Sequence, residues 1–162
     1  MEAFITVSTV LFYMLVVGLL AAASYIDIKT HEIPNKLNLA LLACGVLSIL
    51  LMPHISLTSH LIGLFCVSVP MLAVSLLFPD AVGMGDVKLM GACGLLLGWE
   101  QILVAAVIGI LVGGLQGVYF LLSKKKGRKD HFAFGPALCI GIVTALFAGR
   151  YLFDGYLFLF MN

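Results

Sequence analysis

Charge is what this chain has least of. Only 10% of its 162 residues are Asp, Glu, Lys or Arg, while 62% are hydrophobic, far from the balance of a soluble domain. That shortage excludes an ordinary globular fold and makes the chain a polytopic membrane protein. Paired cysteines are missing too. Cys44, Cys66, Cys93 and Cys139 lie singly inside apolar runs with no CxxC, which excludes a zinc ribbon or redox pair and leaves small buried hydrophobes, with no disulfide implied. No third ligand stands near His54 and His60, so no metal or other cofactor is expected, and both histidines are expected to face water at a hairpin. The net charge of +1 says little about partners, and no nucleic-acid partner is expected. No convincing small-residue cleavage pattern ends the first apolar stretch, so it is read as a span rather than a signal peptide.

Because charges are so few, their positions mark the spans. Ala3–Ile26 carries none over 24 residues, enough to cross about 30 Å of hydrocarbon. Leu37–Pro79 then runs 43 uncharged residues, read as two spans joined around Met52-Pro53-His54. Leu89–Trp99 offers only 11, roughly 16 Å of helix. A fourth span must therefore begin near Val82 or Gly83, which draws Asp86 to the membrane boundary. Gln101–Ser123 and Phe132–Gly149 are spans five and six, and the segment 151–160, whose aromatics look like an interfacial belt, is too short to cross and is better read as a peripheral tail. The fold expected over residues 1–162 is therefore a single all-α, six-helix membrane domain. With the N-terminus outside, Lys29, Lys36, Lys88, Lys124, Lys125, Lys126, Arg128 and Lys129 lie inside and Arg150 alone outside. That eight-to-one bias places Asp27 and Asp86 on the cytoplasmic side. Glycines at spacing four, Gly109-Gly113-Gly117 and Gly94-Gly98, are read as close-packing helix faces.

Three polar motifs interrupt this pattern. The first is Asp27-Ile28-Lys29-Thr30-His31-Glu32-Ile33-Pro34-Asn35, in which Pro34 biases Ile33 away from helix and Asn35 is suited to cap the next one. The second is Gly83-Met84-Gly85-Asp86-Val87-Lys88. The third is Phe134-Gly135-Pro136, at the cytoplasmic start of span six. Carboxylates at a membrane edge are costly, so two at equivalent depth point to chemistry. Asp27 ends a span that is long enough without it, whereas Asp86 is drawn inward, so Asp86 is expected to be the more desolvated. Two close carboxylates cannot easily ionise together, which lets a pair hold one acid and one base and activate water without a metal. Taken singly, Asp27 is equally a solvated helix end and Asp86 an N-cap. A small cation transporter or a non-catalytic assembly factor are the rival classes, but neither accounts for both motifs.

In this order and spacing the motifs resemble those of the type IV prepilin leader peptidases, membrane aspartyl proteases with a Gly-x-Gly-Asp motif, over nearly the whole chain. The resemblance implies catalytic Asp27 and Asp86, with Gly83, Gly85, Lys88, Pro34, Asn35, Gly135 and Pro136 supporting the pair or the substrate. It implies prepilin or pseudopilin substrates, cut between a basic leader and an apolar helix at the cytoplasmic face of a bacterial inner membrane. Larger members carry two CxxC pairs and also N-methylate the product; without those pairs this sequence resembles the short, peptidase-only form, and no methyltransferase activity is expected. Membrane lipid and a homo-oligomer are compatible partners. Glu32, Asp80 and Asp130 are loop acids able to meet a basic leader, though solvated charges serve as well. Gly83 and Gly85 are expected to leave backbone free to pair with an extended substrate.

Overall fold

The computed structural model describes residues 2–53, 55–78, 82–122 and 134–161. His54, Asp80, Asp130 and the basic loop Lys124–Lys129 lie outside them. The regular structure of the described residues is helical throughout: α1 (Glu2–Thr30), α2 (Asn35–Leu51), α3 (Leu57–Cys66), α4 (Ser68–Leu77), α5 (Met84–Leu97), α6 (Trp99–Leu122) and α7 (Gly135–Met161). The helices form because long runs of Leu, Ala, Ile and Phe must satisfy every backbone group internally. Among the described residues, four stretches are long and apolar enough to cross a membrane: Val7–Thr30, Leu57–Leu77, Trp99–Tyr119 and Gly135–Leu159.

The second of these stretches is the rod α3–α4, broken at Val67. Pro70 has no N–H for the carbonyl of Cys66, so the ladder is interrupted there. Ser68 Oγ instead donates to the Leu64 carbonyl at 2.5 Å. With α2, the rod fills the long uncharged run expected to hold two spans.

Helix α5 is short but central. Its 14 residues cover about 21 Å, and α2, α3, α4, α6 and α7 all pack on it. Eleven of those residues are buried, so protein rather than lipid surrounds most of the helix and its length need not match the hydrocarbon. Where α3 crosses it, Gly63 and Gly94 meet backbone to backbone, and a Cβ on either would overlap the other's carbonyl. Helices α6 and α7 pair through Gly109 and Gly113, which face Leu138 and Phe134, and Gly141, which faces Ala105.

Three expectations change. His60 is fully buried rather than facing water. Helix α5 stops at Gly98, whose φ of 81° turns the chain, and this strips the last carbonyls of helical partners. Within hydrogen-bonding distance of the orphaned Leu95 carbonyl lies His60 Nδ1, at 2.6 Å, while Ser59 Oγ accepts from the Trp99 N–H at 3.4 Å. Gly98 is thus a helix stop as well as a close-packing position against Gly63 and Ser59 of α3, whereas Gly117 faces open space. The segment 151–160 is not a separate tail but the continuation of α7, and Phe153 meets Trp99 edge-on with ring centres 5.4 Å apart.

Candidate active site

Helix α1 runs four residues past the expected end of its span, so Asp27 sits in its last turn. The helix is closed by His31, whose N–H donates to the Asp27 carbonyl at 2.8 Å and whose φ of 54° lies in the left-handed region, the usual geometry of a helix C-terminus. Nothing in the polar composition of Lys29-Thr30-His31-Glu32 singles out His31 for that role. The turn carries the chain through a buried Ile33 to Pro34. Pro34, at φ −60° and ψ 135°, is the N-cap of α2, and its carbonyl accepts from Leu37 and Asn38 at 3.0 and 3.3 Å. The expected cap, Asn35, is instead the first helical residue. Proline's fixed φ already supplies the entry geometry, which frees the Asn35 side chain. Lys88 Nζ donates to its Oδ1 at 2.8 Å, tying the start of α5 to the start of α2.

Asp86 is the third residue of α5, after an extended N-cap at Gly83 (φ −69°, ψ 141°). From that position a carboxylate reaches back to the N-cap N–H, as in half of a capping box. Asp86 Oδ2 lies toward Gly83, 3.3 Å from where a Cβ on that residue would sit, while Asp86 Oδ1 is buried without a hydrogen-bond partner. Gly85 is helical, and a Cβ there would lie 3.1 Å from Ile33 Cβ and 3.2 Å from Ile33 N. Its carbonyl accepts from Asn38 Nδ2 at 3.2 Å. Gly85 therefore brings the α1–α2 turn against α5; the extended backbone expected of both glycines is found at Gly83 alone.

The third motif supplies the support for Asp27. At the start of α7 the Gly135 N–H donates to Asp27 Oδ2 at 3.0 Å, using one of the donors that a helix N-terminus leaves unpaired. A Cβ on Gly135 would lie 2.6 Å from that oxygen, so glycine is required for the carboxylate to come this close. Pro136, one residue on, has no N–H to leave unsatisfied at a helix start.

Residues 59 positions apart thus meet on one cleft of about 370 Å³, bounded by Asp27, His31, Asn35, Gly83, Asp86 and Lys88. The two carboxylates are close enough to interact electrostatically. They differ little in exposure, 4% for Asp27 and 7% for Asp86. The asymmetry lies in their partners, since α7 holds Asp27 and an oxygen of Asp86 is unheld. Glu32 is on the rim. Asn38 and His31 were not anticipated as site residues, because each is placed by a contact or a backbone angle rather than by a motif. Among the described residues, no group of three His, Cys, Asp or Glu side chains is arranged to hold a metal ion.

Residues 14–118 match the model of the Type IV leader peptidase family. The chain is 30% identical over 149 residues to the prepilin leader peptidase/N-methyltransferase of Aeromonas hydrophila, covering 89% of this chain and 51% of that protein. It is 32% identical over 143 residues to the protein of that name from Xanthomonas campestris pv. campestris, covering 85% and 50%. To the one from Burkholderia pseudomallei it is 34% identical over 142 residues, covering 80% and 44%. The chain spans about half the length of these relatives. No solved structure matches it.

Proposed function

This chain belongs to the type IV leader peptidase family, and from that premise we propose that it is an aspartic endopeptidase that removes the leader from prepilins or pseudopilins. The observation that carries the proposal is the meeting of two buried carboxylates, Asp27 from α1 and Asp86 from α5, on one open cleft. With one proton shared between them, the ionised member takes a proton from water as the water oxygen bonds to the scissile carbonyl carbon. The protonated member donates to the carbonyl oxygen. Collapse of the tetrahedral adduct breaks the C–N bond and returns a proton to the leaving amine. The pair titrates as a unit, so neither role is assigned to one residue.

Substrate and topology follow from where the cleft opens. We place the N-terminus outside and the cleft at the cytoplasmic face of a bacterial inner membrane, on the eight-to-one distribution of basic residues. Six crossings result when α2 and the protein-wrapped α5 are counted with the four longer stretches. A cleft at that depth meets a chain where a basic leader passes into an apolar helix, and Glu32 on its rim suits a basic segment. The proposal concerns peptide hydrolysis; the N-methyltransferase part of the relatives' name stays with those relatives. Membranes containing the wild-type chain should process a prepilin, while Asp27→Asn and Asp86→Asn, inserted at equal levels, should not. Processing by both variants would overturn the assignment.

A further inference from the structure

Helix α6 stands outside the carboxylate cleft. Among the described residues, those lining the cleft come from α1, α2, α5 and the turns that lead into α2 and α5. Helix α7 joins them through its first residue, Gly135, whose N–H holds Asp27 Oδ2 at 3.0 Å. Helix ends fray unless something packs on them, so a contact made by the first residue of α7 needs an anchor beside it.

The Phe134 ring is placed to be that anchor. Phe134 precedes Gly135 and starts α7, its carbonyl accepting from the Ala137 and Leu138 N–H groups at 3.1 and 3.2 Å. Its ring lies against the backbone of α6 at Gly113: a Cβ there would overlap Phe134 Cε2 and lie 2.8 Å from Cδ2, with Ala137 Cβ at 3.4 Å. One turn earlier on α6, a Cβ on Gly109 would lie 2.9 Å from Leu138 Cδ2 and 3.2 Å from Leu138 Cα. Phe134, Ala137 and Leu138 thus seat the first turn of α7 on two glycines of α6, while Gly135 faces α1.

Pairing of α6 with α7 does not depend on Gly113. Deeper in the membrane Gly141 meets Ala105 so closely that a Cβ on it would overlap the Ala105 carbonyl. Glycine is also a poor helix former. What the missing side chain at Gly113 admits is the ring one residue before the donor to Asp27.

Resting on the leader-peptidase reading above, we infer that Gly113 and Phe134 are positioning residues for catalysis: the ring seated on Gly113 fixes the start of α7 and, through the Gly135 N–H, holds Asp27 in place beside Asp86. A side chain at Gly113 moves the ring by at least about 0.6 Å, to roughly 3.4 Å from the new carbon, and the adjoining Gly135 N–H moves with it. Loss of the ring leaves the helix start unanchored. Both changes act on the carboxylate rather than on substrate binding, so the rate should fall with KM unchanged.

The test is prepilin cleavage in membranes by Gly113→Ala and Phe134→Ala, with Gly117→Ala, which meets open space one turn further along α6, as the control. The first two should each lower the single-turnover rate about tenfold with KM within about twofold of wild type, and the control should match wild type. Phe134→Ala creates no overlap, so it decides the question if Gly113→Ala fails to insert. Each change is then combined with Gly135→Ala. Changes that act through one contact do not multiply, so the double variants should be no slower than Gly135→Ala alone, whereas general structural damage would add its own loss. A rate within about twofold of wild type for either inserted variant, a change in KM alone, an equal loss in the control, or losses that multiply with Gly135→Ala overturns the inference while wild-type cleavage upholds the peptidase reading. Failure of the wild-type chain to cleave overturns both.

Discussion

A single methyl group at Gly135 separates a held carboxylate from one merely nearby. Gly135→Ala puts a Cβ 2.6 Å from Asp27 Oδ2 and 2.9 Å from its Cγ. The nearest of these contacts must open to roughly 3.4 Å, an ordinary separation, so the carboxylate has to retreat by about 0.8 Å. Asp27 is buried, and moving away also lengthens its 3.0 Å hydrogen bond to the Gly135 N–H. Displacements of this size cost on the order of 100-fold in rate when the reacting geometry is tight. Helical alanine is intrinsically favoured over glycine, so folding should hardly suffer. The assay is prepilin cleavage under single-turnover conditions, with thermal unfolding of the purified variant alongside. The expected result is a rate loss of about 30- to 100-fold with an unfolding midpoint close to wild type. A rate within twofold of wild type would refute the view that the Phe-Gly-Pro motif positions Asp27.

Three other variants probe the frame around the cleft. Gly85→Val should cut activity sharply while leaving membrane insertion intact, because a branched side chain 3.1 Å from Ile33 Cβ pushes α5 away from the α1–α2 turn; unchanged turnover in the same cleavage assay argues against that contact. His31→Gly should leave stability unchanged or raise it by up to about 1 kcal/mol, since glycine adopts the φ of 54° without a Cβ penalty but loses more backbone entropy on folding; a clear drop in unfolding midpoint contradicts this. His60→Phe should destabilise the protein by about 1–3 kcal/mol by leaving the Leu95 carbonyl unpaired, read as a lower unfolding midpoint in detergent.

What was legible in the sequence was whatever the bilayer or a special backbone residue enforces locally. Scarce charges marked the spans, and the shortness of the apolar run after Lys88 located the start of α5 to within two residues. The resemblance marks Gly83, Gly85, Gly135 and Pro136 as supporting the pair or the substrate, but not which segments they bring together. That Gly85 opposes Ile33 and Gly135 opposes Asp27 depends on packing between segments 52 and 108 residues apart. The misplaced residues share a cause. Polarity alone sends His60 to water, yet the end of α5 leaves a carbonyl that only a nearby donor can satisfy. Residue type alone makes Asn35 a cap, but Pro34 already supplies the geometry. Its own length makes the segment after Gly149 a tail, whereas α7 carries through it and Phe153 closes on Trp99.

In the proposed mechanism Asp27 and Asp86 act as one unit on one water. Groups that act as a unit lose their function together rather than in multiples. The most direct measurement is therefore the single-turnover cleavage rate of Asp27→Asn, Asp86→Asn and the double variant, each inserted to the wild-type level. Each single change should lower the rate by roughly 1,000-fold or more, and the double variant should be no slower than the worse single one. A single variant that keeps a tenth of the rate, or losses that multiply in the double variant, would contradict it.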